Sequence, residues 1–136
     1  MNRIKIYIVL LFLGLGLQQT YSQSYKFRTS GYSVLEKNEK GKWGKWSELE
    51  LVNIPVVLDT DKNRIVVNSQ EIQVFQISDY IAREENDTDI VYSFVCKDLN
   101  GNDAKLSIIT RKMQDNRKQL YINYNDRIIV YNIFNM

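Results

Sequence analysis

No histidine occurs in this chain, and that absence removes more chemistry than any other feature of the sequence. Histidine is the usual general base near neutral pH and the commonest metal ligand. Ser-His-Asp and Cys-His arrangements are therefore excluded. A single cysteine, Cys96, leaves the usual zinc sites short of ligands and permits no internal disulfide. The single proline, Pro55, cannot donate to a sheet ladder and marks an edge or the start of a strand. Neither a Gly-rich phosphate loop nor a dinucleotide fingerprint is present. No spacing nominates a carboxylate pair among the 16 Asp+Glu. The chain is thus expected not to be an enzyme and to need no cofactor or metal.

What is present begins with an export signature. Arg3 and Lys5 precede the apolar run Ile6 to Leu17, and Thr20 and Ser22 are small residues at the −3 and −1 positions of a cleavage after Ser22. Twelve apolar residues fall short of the roughly 17–25 that span a bilayer. Residues 1–22 therefore read as a signal peptide and 23–136 as one exported domain, periplasmic or extracellular, with no retained membrane span. About 114 residues are enough for a single core. Without Arg3 and Lys5, the 18 Lys+Arg fall to 16 against 16 Asp+Glu. A neutral chain with its charges interspersed lacks the basic stripe of a nucleic-acid binder, and no nucleic-acid partner is expected.

The dominant period beyond the signal is two, in runs rich in Ile, Val, Tyr and Phe. Ile90, Tyr92, Phe94 and Cys96 share one face; so do Ala104, Leu106, Ile108 and Thr110, and so do Leu120, Ile122 and Tyr124. Arg127 to Phe134 is apolar on both faces. Cys96 in such a run reads as a small buried hydrophobe. Residues 71–83 carry partial helical spacing through Ile72, Phe75, Ile77, Tyr80 and Ile81, but Ile72 and Val74 alternate and the surroundings are β, so a strand is expected. Asp59-Thr60-Asp61-Lys62-Asn63 opens like a calcium loop. Arg64 stands where that loop needs Gly and Gln70 where it needs Glu, so the segment reads as a turn. Asn100-Gly101 is a hairpin signal with both residues suited to positive φ. The sum is an all-β fold, an antiparallel up-and-down meander of about eight strands. It closes as a barrel or, alternatively, stacks as a β-sandwich.

Both tryptophans fall in Gly41-Lys42-Trp43-Gly44-Lys45-Trp46. Three residues apart in a strand, they point to opposite faces, and they share a surface only where the chain turns. The stretch is expected to form a long hairpin loop. Trp46 then enters the next strand, Trp43 caps one end of the fold, and one or both plug the core. Gly41-Lys42-Trp43, repeated as Gly44-Lys45-Trp46, resembles the G-x-W element of lipocalins, which are up-and-down barrels carrying small hydrophobic ligands. The likeness spans three residues and implies a lipocalin-like barrel more than an activity, since a strand from Tyr25 to Leu35 precedes the motif here. In overall style the chain is also similar to small exported β-proteins of bacteria, a likeness that implies no chemistry.

Two functions follow as expectations. One is a non-catalytic carrier of a small apolar or amphipathic ligand, with Trp43, Trp46, Tyr92 and Tyr124 as its ligand-facing residues. The other is a protein-interaction module, an inhibitor or envelope-associated adaptor, with a filled core and a working surface at a loop end or sheet edge.

Overall fold

The computed structural model describes residues 23–136; the signal-peptide assignment falls on residues outside that range. Nine strands appear among the described residues: β1 (Ser24–Glu36), β2 (Glu50–Leu51), β3 (Pro55–Asp59), β4 (Arg64–Val67), β5 (Gln73–Glu85), β6 (Asp89–Lys97), β7 (Asp103–Arg111), β8 (Arg117–Asn123) and β9 (Arg127–Asn135). Every pairing is antiparallel, and from β3 to β9 each strand hydrogen-bonds the next. β1 joins β3 on one side and β9 on the other. Eight strands thereby close an up-and-down barrel, with β2 attached outside the ring beside β1. The expected meander is what forms, and residues 73–85 are strand.

The inner face follows the sequence's period of two. Ile65, Val67, Phe75, Cys96, Leu106, Leu120 and Ile122 are wholly buried within it, and each large side chain there contributes about 1.5–3 kcal/mol through burial. Pro55 opens β3, as its missing N–H predicts.

β1 is long because it serves two neighbours in turn. Its first half pairs with β3 through Arg28↔Pro55. A bulge at Ser30 shifts its register against β9 between Thr29 and Gly31. Beyond the bulge, Gly31 and Tyr32 pair with β2 instead of β3. β5 is long for the mirror reason. It pairs with β4 only over Gln73 to Gln76, then continues along β6 through two register shifts. Bulges bend a strand and raise its twist, which lets two short strands, β3 and β4, complete the ring between two long ones.

Candidate docking edge and barrel mouths

The GKWGKW segment resolves into two glycines with separate duties. Asn38 N–H donates to Lys42 O at 2.8 Å and Gly41 N–H to Asn38 O at 2.9 Å, while Gly41 has φ +78°. Asn38 Oδ1 accepts the Lys40 and Lys42 N–H groups at 2.9 and 3.0 Å. This is a tight turn whose left-handed position takes glycine at no steric cost. Gly44 instead permits a close approach, because its N–H donates to Glu36 O at 2.8 Å and a Cβ there would lie 3.2 Å from that oxygen. Asp98 to Asn102 repeats the turn, with Gly101 at φ +83°. Asn100 is not in the left-handed region, contrary to the Asn-Gly expectation. Its N–H is held by Asp98 Oδ1 at 2.9 Å, which fixes it in an ordinary turn conformation.

Beyond Gly44 the chain descends along β1 as an arm. Ser47 N–H donates to Val34 O and its Oγ accepts the Val34 N–H, both at 2.8 Å. Val52 N–H reaches Ser30 O at 3.3 Å. Gly31 makes room for the arm, since a Cβ there would lie 3.0 Å from both Glu50 O and Leu49 Cδ1. Thr29, wholly buried, pins the lower end. Its Oγ1 donates to Val52 O at 2.9 Å and accepts the Ile54 N–H at 3.0 Å, so both backbone groups are satisfied.

Among the described residues the arm's other edge is open, because β2 has only β1 as a neighbour there. β4 ends at Val67 and the chain leaves for β5, so no strand follows beyond the arm among the described residues. For that reason the tryptophans do not plug the barrel as expected. Trp43 is 45% and Trp46 48% exposed, joined on the arm by Leu49 and by Leu51 at 85%. Lys37 Nζ lies 5.0 Å over the Trp43 ring.

The four aromatic residues singled out in the sequence do not converge. Tyr124 lies at the arm's end of the barrel, next to the Asn125-Asp126 turn whose Asp126 O accepts the Lys37 N–H at 3.0 Å. It is consumed by packing. Phe75 lies 6.4 Å from its ring and the Arg127 guanidinium 4.2 Å over it, and its hydroxyl donates to Asp98 Oδ2 at 2.9 Å. Burial first, and then the Asp98 carboxylate, push that hydroxyl up to about 12. Tyr92 lies at the opposite mouth, half exposed, with the Arg83 guanidinium 5.9 Å from its ring. Cys96 behaves as expected, since burial raises its thiol to about 12 and leaves it neutral.

The Asp59 loop is occupied by its own turn, with Asp59 Oδ1 accepting the Asp61 and Lys62 N–H groups at 3.1 and 3.2 Å. Sequence reasoning missed two residues. Thr29 carries no local signal. Lys118 was within reach, because extending the Leu120, Ile122, Tyr124 period by two residues puts a lysine on the inner face.

Comparison with protein-family models, with curated proteins and with solved structures finds no match.

Proposed function

We propose that this chain is an exported, non-catalytic interaction module that captures an extended segment of another polypeptide along the open edge of the arm. The observation that carries the reading is the unpaired edge of β2 coinciding with exposed Trp43, Trp46, Leu49 and Leu51. Main-chain hydrogen bonds from such an edge supply affinity to an added strand, and flanking side chains supply specificity. A monomer normally blunts or covers such an edge. Here the close approach at Gly31 and Gly44 and the hydrogen bonds of Thr29 seat it against β1, which lowers the ordering cost of binding.

The other reading, a carrier holding its ligand inside the barrel, has less support. Ile65, Val67, Leu106, Leu120 and Ile122 occupy the interior at 0% exposure. None of them lines the open depressions at the barrel's ends and outer surface. The lipocalin resemblance supports the closed meander as an architecture and supplies no ligand.

The test is photo-cross-linking in the exporting host, with the reactive residue introduced at Leu51 or, as a control, at Met113. Met113 is similarly exposed, between β7 and β8 at the opposite end. A discrete protein adduct from position 51 and none from position 113 is expected. No adduct from position 51, or the same adducts from both positions, would overturn the reading.

A further inference from the structure

The run from Arg127 to Phe134 is apolar on both faces, the pattern of a strand covered on both sides. The barrel's interior covers only one of them. Tyr131 and Ile133 belong to the core, whereas Val130, between β8 and β1, is 8% exposed and stands outside it. The register Ile81↔Ser93↔Ser107↔Tyr121↔Val130↔Ser33 carries that outward row across the sheet. The row on one side of it reads Val91↔Ile109↔Gln119↔Asn132↔Gly31. The row on the other side reads Val95↔Lys105↔Asn123↔Ile128↔Leu35. From β6 round to β1, Lys105 is the one charge in these rows, and it lies exposed in an outer one. The outward rows over β1, β3 and β4 differ, carrying Lys26, Arg28, Asp59 and Arg64.

The polar side chains of this face are paired with one another. Ser93 and Ser107 are buried, and their hydroxyls bond each other at 2.9 Å. Gln119 Nε2 donates to Asn132 Oδ1 at 3.1 Å, and Asn123 Nδ2 to Lys105 O at 3.0 Å. At the rim, Arg111 Nε donates to Gln119 Oε1 at 3.2 Å and its Nη2 to the Tyr121 hydroxyl at 3.1 Å. A surface whose polar groups satisfy each other loses little hydrogen bonding when water leaves it.

We propose that two copies of the chain pack through this face, sheet against sheet, about a two-fold axis. The face is complementary to itself. Tyr121, the one aromatic residue of these rows, pairs with the small Ser107. A two-fold between β7 and β8 lays each Tyr121 against Ser107 of the other copy, which is the reciprocal contact that a two-fold interface needs. Strands β6 to β9 with β1, spaced about 4.8 Å apart, and rows about 6.8 Å apart give roughly 500 Å² on each copy. The total of about 1,000 Å² is the lower limit for a specific interface, so the dimer is a weak one. The arm's free edge lies beyond β1 and takes no part in this contact, so the dimer and the docking reading fail separately.

Sedimentation equilibrium of residues 23–136 tests this. A monomer–dimer equilibrium is expected, with a dissociation constant of roughly 1–100 µM. Ile109→Glu, which adds a charge to the face, and Tyr121→Ala, which removes its aromatic residue, should each weaken the dimer at least about tenfold. Met113→Glu, in the exposed turn between β7 and β8, should leave it unchanged. A second measurement needs no variant and so does not depend on one folding. On dilution of the wild-type chain, amide chemical shifts should move at Ser107, Ile109 and Tyr121 and stay fixed at Val57 and Val66, on β3 and β4. A wild-type chain that stays monomeric up to about 1 mM would overturn the proposal, even if a different protein of the host covers the face. So would a dimer equally tight in wild type, Ile109→Glu and Tyr121→Ala, or dilution shifts centred on Leu49 and Leu51, which would place self-association on the arm.

Discussion

Gly41 and Gly101 hold the same place in two copies of one turn, at φ +78° and +83°. In each copy the glycine N–H donates to the first residue's carbonyl, Asn38 at 2.9 Å and Asp98 at 3.0 Å. One turn caps the arm and the other joins β6 to β7. Nothing lies within 4 Å of a Cβ built on either glycine, so replacing them tests backbone conformation without steric interference. Gly41→Ala and Gly101→Ala should each cost about 1–2 kcal/mol, measured by urea unfolding, and Gly→Asn at either position should cost less. Equal stability in the alanine variants would contradict the left-handed assignment.

Thr29 offers a test of the arm's lower anchor. Thr29→Val keeps the side chain's shape but strands Val52 O and the Ile54 N–H, both bonded to its hydroxyl. A loss of about 1–3 kcal/mol is expected, with Thr29→Ser recovering most of it. Unfolding midpoints of the two variants separate a hydrogen-bonding role from a packing role.

High pH should destabilise the fold through the Cys96 thiol and the Tyr124 hydroxyl, with the buried Tyr131 hydroxyl, also raised by burial, acting in the same direction. Cys96 is raised from its ordinary 9.0 to about 12, and Tyr124 from 10.0 to about 12, burial being the largest cause for both. In the unfolded chain each loses its proton at its ordinary value, while the folded chain retains it. The unfolded state therefore binds fewer protons, and stability falls as pH rises from 9 towards 12. Cys96→Ala should flatten the fall between pH 9 and 10. In the native protein Cys96 should also resist thiol reagents until unfolding exposes it.

Core and arm should respond differently to truncation. Leu120→Ala and Ile122→Ala remove wholly buried side chains and are expected to cost about 2–5 kcal/mol each. Trp43→Ala and Trp46→Ala remove side chains that are nearly half exposed and should cost less, about 1–2 kcal/mol. Tryptophan variants as damaging as Leu120→Ala would restore the plugging role that the geometry denies.

The barrel was legible because alternation at Leu106, Ile108, Leu120 and Ile122 directly encodes an inner face, and because the turn residues stand at hairpin spacing. The arm was not. Its path depends on contacts distant in sequence: Gly31 making room for Leu49, Thr29 bonding Val52 and Ile54, and β4 stopping at Val67. Tryptophan's average preference for burial predicted a plug, and only the absence of a facing strand decides otherwise. Tyr92 and Tyr124 looked alike in sequence because period alone cannot say at which end of a barrel a residue lies. Lys118 was readable from the β8 period, but its hydrogen bond to Thr110 was not.

The most direct test of the docking edge is amide hydrogen exchange, first on residues 23–136 alone and then with the partner captured at Leu51. Alone, the Leu49, Leu51 and Asn53 amides should exchange far faster than those of Leu106 and Leu120, because no strand covers that edge. With the partner bound, protection should appear at these three amides and leave Ile90 and Lys118 unchanged. Protection already present in the free protein, or partner-induced protection confined to the opposite mouth, would contradict the account.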